Sequence, residues 1–166
     1  MDINVSLVDH MGSDLSVVNA ARVSFAKEHK EFDNVADTKL INYLAKHNHW
    51  SPFGHGSLQF AISAPVFVAR QLVKHQIGLT WNEVSRRYVD DEPEFYIPDS
   101  WRGTAENKKQ GSSNDDININ PRGRLVDEYE TVLRSAKWTY EYLLSRGVCP
   151  EQARMVLPQS MMTEWY

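Results

Sequence analysis

The chain has 166 residues, 42% hydrophobic and 24% charged, with a formal net charge of −4; this suits one globular domain with a real core and excludes a disordered chain. The acidic balance excludes bulk attraction to nucleic acid or an anionic membrane, so anion binding must come from a local cluster. One cysteine, Cys149, excludes an internal disulfide, and no apolar run reaches membrane-spanning length.

Residues 3–8 alternate Ile3, Val5 and Leu7 with polar partners and read as a short strand. Ser13 or Asp14 caps a helix predicted to run through Ala20 and Ala21 to about Lys27. A second helix is predicted over residues 37–46, with Leu40, Ile41 and Leu44 on one face. Residues 47–55 read as a loop, broken by Pro52 and Gly54. Residues 57–63 set Leu58, Phe60 and Ile62 against Ser57, Gln59 and Ala61, the best strand pattern in the chain. Pro65 suits the first turn of a helix running from Val66 to about His75. Its apolar run Val66, Phe67, Val68 predicts burial on more than one side.

Residues 103–120 are polar and rich in Gly, Ser and Asn, and read as a mobile loop. A long helix follows from Pro121 or Gly123 to Ser145, with Leu125, Tyr129, Val132, Ala136, Tyr140 and Leu143 as its apolar stripe and Gly147 as its stop. Pro150 opens a last short helix over residues 151–154, ended by Pro158. Together these elements imply a single α+β domain over residues 1–166, a mixed or antiparallel sheet flanked by helices. No basic stretch followed by an apolar run opens the chain, and a cytoplasmic setting is expected.

Chemistry concentrates between Arg70 and Tyr88. On the predicted helix Arg70 and Lys74 stand i,i+4 on one face, with Gln71 and His75 as the neighbouring pair. A solvated helix C-terminus explains such cations equally well. The following run changes the balance: Trp81, Asn82, Glu83, Val84, Ser85, Arg86, Arg87 and Tyr88 gather an amide, a carboxylate, a hydroxyl, two guanidiniums and two aromatics. Arg forks match phosphates and planar imides. Asn and Ser can read a base or ribose edge, and Trp or Tyr can stack on a ring. From Arg70 to Tyr88 the only acid is Glu83, against Arg70, Lys74, Arg86 and Arg87, a bias that suggests anion binding. His47, His49 and His55 fit no standard zinc spacing, and no metal site is expected.

The segment FVARQLVKHQIGLTWNEVSRRY (residues 67–88) resembles the signature region of the flavin-dependent thymidylate synthases, whose pattern is Arg-His-Arg, a spacer, then Ser. AARVSF (20–25), HWSPFGH (49–55), EFYIP (94–98) and GVCPEQARMVLP (147–158) agree in the same order, so the resemblance runs across nearly the whole chain. Three departures stand out. The triplet is Lys74, His75, Gln76, which loses both guanidinium forks and one of the two charges. The spacer between Gln76 and Ser85 is one residue longer than the family's. Family members also continue past the segment matching residues 161–166 with a helix that completes the flavin and nucleotide sites. By that resemblance the chain lacks the family's C-terminal segment and needs it, or a separate piece, for activity.

The resemblance implies reductive methylation of dUMP to dTMP, with methylenetetrahydrofolate as carbon donor, FAD as flavin and NADPH as reductant. It implies a homotetramer whose active sites are shared between chains, with no nucleic-acid or membrane partner. It assigns Gln71, Leu72, Val73, Lys74, Glu83, Val84, Ser85, Arg86, Arg87 and Arg154 to the dUMP site, and Ser51, Lys74, His75, Gln76 and Glu83 to FAD. It puts Arg87, Ser85 and Arg154 at the catalytic centre and His49 at the flavin or folate pocket. Arg87 and Arg154 suit the phosphate or the uracil carbonyls, where cations ease electrophilic attack at C5. A nucleophilic Ser85 needs an adjacent base, so hydrogen bonding in the nucleotide pocket is its favoured role. Cys149 reads as a small buried residue at a helix start. Two other readings stay open. One is a module for single-stranded nucleic acid, with Trp81 and Tyr88 stacking bases; the other is an inactive assembly subunit.

Overall fold

The structure is a computed structural model that describes residues 2–106, 111–117 and 122–166, without the side chains of 114–116 and 122–124. The chain divides into two compact units, Val5–Ala61 and Ile62–Tyr166, the latter joined by the first residues. Antiparallel strands combined with helices make it α+β.

In the unit Val5–Ala61, β1 (Asn4–Met11) runs longer than its alternation predicts and neighbours β2 (Ser57–Pro65). The Ser6 hydroxyl donates to the Ala61 carbonyl at 3.4 Å. Gly12 turns the chain into α1 (Asp14–Arg22) with φ of +88°, and a Cβ there would lie 3.0 Å from the His55 carbonyl oxygen. Only glycine meets both demands. Ser16 Oγ accepts the Ser13 backbone N–H at 3.1 Å, closing the helix start.

The first helix does not reach Lys27. It tightens into a 3-10 turn, Val23–Phe25, and stops at Ala26, which is left-handed with φ of 52°. The stop serves a tertiary closure. The Asn19 side chain donates to the His29 carbonyl at 2.9 Å and accepts the His29 N–H at 2.8 Å. The folded-back segment buries Asp37 completely. Asp37 accepts from the Asp33 N–H at 2.9 Å, pairs with His29 Nδ1 at 3.0 Å and with Arg22 at 2.9 Å. The Asp33 N–H, opposed by burial and aided by His29 and Arg22, holds the Asp37 pKa down at about 2.

Asp33 also accepts the N–H groups of Ala36 and Val35, which lower its own pKa. It thereby starts α2 (Ala36–Lys46) one residue before the predicted Asp37. Leu44 is buried and Leu40 and Ile41 are half-buried, as the periodicity predicts. Residues 51–55 are a 3-10 turn rather than open loop, with Pro52 in its first turn.

In the second unit the latter half of β2 pairs antiparallel with β5 (Met162–Trp165), from Ile62 opposite Trp165 to Pro65 opposite Met162. The strand order is β1-β2-β5. Pro65 ends the strand and caps α3 (Val66–Leu72). This helix is a turn shorter than predicted: the β-branched Val73 caps it, and the His75 N–H folds back on the Leu72 carbonyl at 3.0 Å. Lys74 and His75 therefore lie beyond the helix whose face was predicted to carry them with Arg70 and Gln71. Of the apolar run predicted to be buried on more than one side, Val66 and Val68 are half-buried and Phe67 is 43% exposed. The core of this unit is Ala64, Ala69 and Trp165, with Ile62, Val68 and Trp81 packed against it.

The stretch read as a mobile loop instead contains β3 (Arg102–Thr104) and β4 (Ser112–Asp116), paired antiparallel with an irregular register. Ladder hydrogen bonds satisfy the backbone whatever the polarity of the side chains. Residues 107–110 and 118–120 of that stretch lie outside the described residues. The long helix α4 (Arg122–Ser145) follows. Its stripe is shifted by one residue from the predicted one at two points: Leu133 is buried while Val132 is 60% exposed, and Val126 is half-buried while Leu125 is exposed. Spacings of three and four both continue a helical face, and packing selects between them. Gly147 ends the helix at φ of +81°, with Val148 N–H on Leu143 and Gly147 N–H on Leu144, a Schellman stop. α5 (Pro150–Ala153) and a 3-10 turn, Arg154–Val156, complete the chain before β5. Cys149 stands at the start of α5 but is exposed, against the expectation of burial. Among the described residues no helix is long and apolar enough to cross a membrane.

Candidate functional site

Residues 159–166 are the scaffold of the site. On one side the N–H groups of Val66 and Phe67 donate to the carbonyls of Met161 and Gln159 at 2.9 and 3.0 Å. On another, Tyr96 N–H reaches Ser160 and Met162 N–H reaches Glu94, each at 2.8 Å. Beyond β5, Asn82 exchanges backbone hydrogen bonds with Tyr166 at 3.2 and 2.9 Å, and Val84 N–H donates to Glu164 at 2.9 Å. One short C-terminal segment thus holds three distant parts of the chain together. Its sequence, with no clear alternation over so few residues, did not identify it as a strand.

A cleft of about 1200 Å³ opens along this scaffold. Glu83, Val84, Ser85, Arg86, Arg87 and Arg154, all predicted for the nucleotide site, line it together with Arg70. Gln71, Leu72, Val73, Lys74, His75 and Gln76 do not line it and are all exposed. Ser51 belongs to the other unit, where it opens the 3-10 turn and is exposed.

The side chains of the cleft brace one another. Ser85 Oγ accepts the Arg87 backbone N–H at 3.3 Å and Arg87 Nε at 3.2 Å. The Ser85 carbonyl accepts the N–H groups of Tyr88 and Val89 at 2.9 and 3.2 Å, which closes a turn. The hydroxyl thus orients a guanidinium, and Arg87 also sits 5.0 Å over the exposed Tyr88 ring. Arg86 donates to the Asp91 carbonyl. Both carboxylate oxygens of Glu83 are engaged, by the Thr163 hydroxyl at 2.8 Å and by the Trp81 indole N–H at 3.3 Å. Trp81 itself stacks on Trp165, ring centroids 4.7 Å apart, so its ring serves the core rather than a ligand.

Tertiary structure also corrects the electrostatics. Along residues 70–88 Glu83 is the only acid, but Asp91, Glu92, Glu94, Glu151 and Glu164 join the same lining. Four arginines therefore face six carboxylates, which suits a small ligand with both anionic and donor groups better than a polyanion. Glu92 is taken by Lys137 in an ion pair. Among the described residues no group of three or more His, Cys, Asp or Glu is placed to hold a metal ion. Sequence reasoning missed Thr163, Glu94 and Glu164, whose only signal is their register on or beside β5.

Known proteins match this chain over nearly its whole length. The family described as "Thymidylate synthase complementing protein" matches residues 6–166. The flavin-dependent thymidylate synthase of Kosmotoga olearia is 44% identical over 164 residues, covering 98% of this chain and 69% of that one. That of Thermosipho africanus is 42% identical over 161 residues, covering 96% and 68%. Among solved structures, the UMP/dUMP methylase PolB from Streptomyces cacaoi, bound with 5-Br dUMP, superposes with a TM-score of 0.85 at 34% identity, covering 99% of this chain and 71% of that one. With this family match, these identities and the ordered motifs, the chain belongs to the flavin-dependent thymidylate synthase family.

Proposed function

We propose that this chain binds dUMP in the cleft and methylates it reductively to dTMP. The carrying observation is the convergence of Glu83, Ser85, Arg86, Arg87 and Arg154 on one cleft scaffolded by residues 159–166. At about 1200 Å³ the cleft exceeds the ~300–1,000 Å³ of ordinary small-molecule sites and leaves room beside a mononucleotide. Arg87 and Arg154 serve the phosphate or the uracil carbonyls, and Arg87 is aimed by Ser85. Positive charge at a uracil carbonyl oxygen stabilises the enolate form, in which C5 is nucleophilic towards the carbon donor. With its hydroxyl committed to Arg87, Ser85 acts by orientation rather than as a nucleophile.

In the unit Ile62–Tyr166, Lys74, His75 and Gln76, together with Glu83, are the residues that would hold FAD; in the unit Val5–Ala61, Ser51 is the residue that would serve one. Their donor set fits: an exposed ammonium for a pyrophosphate, with an imidazole, an amide and a hydroxyl for ring and ribose edges. When bound and reduced by NADPH, the flavin supplies the hydride, and methylenetetrahydrofolate supplies the carbon. Residues 71–80 are exposed throughout, including Ile77 at 89%, which supports a homotetramer in which this stretch, with Gln71, Leu72 and Val73, serves a site shared with a neighbouring chain.

The test is direct. Purified protein should show flavin absorbance with added FAD and bind dUMP by isothermal titration. Protein that stays colourless at micromolar excess of FAD and takes up no dUMP would sink the proposal. Oligonucleotide binding with a steep salt dependence would point instead to a nucleic-acid module, which the six carboxylates disfavour.

A further inference from the structure

We propose that Thr163 and Trp81 are positioning residues for the nucleotide, acting together through the Glu83 carboxylate. The inference deepens the assignment of the cleft to dUMP and rests on it.

Glu83 stands on backbone bridged to Trp165 of β5. Its two oxygens are held by two different elements: Thr163 Oγ1 donates to Oε1 at 2.8 Å, and Trp81 Nε1 donates to Oε2 at 3.3 Å. Both donors are themselves fixed. Thr163 is 8% exposed and paired across the sheet with Ala64, which is fully buried. Trp81 is clamped by its stack on Trp165, which is 3% exposed. A donor to each oxygen sets both the rotamer and the plane of the carboxylate before any ligand arrives. The ordering cost of that side chain is then met in folding and not in binding.

An ionised carboxylate accepts at about four lone-pair positions, so two donors leave capacity for a third group in the cleft that Glu83 lines. Its charge repels a phosphate and attracts N–H and O–H donors. A nucleoside monophosphate offers both: an imide N–H and a sugar hydroxyl at one end, a dianion at the other. The fixed Glu83 takes the donor end while the arginines take the anionic end, and the ligand has one orientation. Thr163 and Trp81 touch Glu83 rather than the reacting atoms, so their effect passes through it.

The experiment is isothermal titration of the whole chain with dUMP, using T163V, T163S, W81F, E83Q and the T163V/E83Q pair, with circular dichroism to verify folding. T163V should weaken dUMP about tenfold, the scale of one charge-assisted hydrogen bond. T163S, which keeps the hydroxyl, should stay within about twofold of wild type. W81F, which keeps an aromatic ring against Trp165 and loses the N–H, should cost about threefold. Adding T163V to E83Q should cost nothing further, because the group it positions is already changed. The inference is overturned if T163V binds as wild type does, if T163S loses as much as T163V, or if T163V costs as much in the E83Q background. Should T163V not fold, W81F and W81F/E83Q carry the same cycle with the same expectations. A wild-type chain that binds no dUMP overturns the proposed function and this inference with it; a wild-type chain that binds with no coupling overturns the inference alone.

Discussion

Residues 71–76 and residues 83–87 lie in the same motif region, yet the fold treats them in opposite ways. The second segment is braced at almost every position. Val84 is tied to Glu164 of β5 and its neighbour Asn82 to Tyr166 just past it, Glu83 has a donor on each oxygen, Ser85 aims Arg87, and Arg86 reaches Asp91. The first segment begins with the last two residues of α3 and runs on past the early end of that helix, and all its side chains are exposed. A braced segment proposed for the nucleotide therefore stands beside an unbraced one, of which Lys74, His75 and Gln76 are proposed for the flavin. Preorganisation converts contact into affinity because less freedom is lost on binding. The substitutions that set this chain apart, Lys74 and Gln76, fall in the unbraced half, where they disturb no packing.

The largest break in the comparison comes from Trp165. Trp165→Ala removes the stack under Trp81 and a core side chain that is 3% exposed. It should destabilise the protein by about 3–5 kcal/mol in chemical denaturation. Arg87→Ala comes next. Arg87 is exposed in the free chain, so the loss of dUMP affinity should sit near ~2 kcal/mol with flavin affinity little changed. Equal losses of both ligands would erase the distinction between the halves. Ser85→Ala frees the Arg87 guanidinium and should cost ~1 kcal/mol in dUMP titration, again sparing FAD.

Gln76→Arg probes the other half. Restoring a guanidinium on an exposed stretch should tighten FAD by ~0.5 kcal/mol and leave dUMP unchanged. No effect would place residue 76 away from the flavin. Acid has the smallest effect at ordinary pH. The folded pKa of Asp37 is about 2, below the usual 3.8, so its contribution to stability is present above about pH 4 and is lost as pH falls towards 2. Acid unfolding followed by circular dichroism should therefore be flat from neutrality to about pH 5 in this respect. Asp37→Asn should remove the part of the transition that lies between about pH 4 and 2.

Much of the local structure was legible because its causes are local. The alternation of Leu58, Phe60 and Ile62 specified a strand, the spacing of Tyr129, Ala136 and Tyr140 a helix face, and Gly147 a stop, each through backbone geometry acting over a few residues. The end of α3 at Leu72, the closure of Asn19 onto His29 and the pairing of β3 with β4 were not legible. Each depends on a partner the neighbouring sequence does not name.

For the site the division is the same. By itself the sequence determined which chemistry is available: the side chains of residues 83–87 and Arg154 are the types that hold a nucleotide, and their order carries the family resemblance. Only the tertiary structure decided that these residues share a cleft while residues 71–76 do not line it. It also decided that Trp81 belongs to the core, that five further carboxylates join the lining, and that Thr163, far along the chain, holds Glu83. The reason is physical. Residue type and spacing act through the chain's own backbone, whereas a cleft is made by strand pairing between distant segments, and that register exists only once β5 is in place.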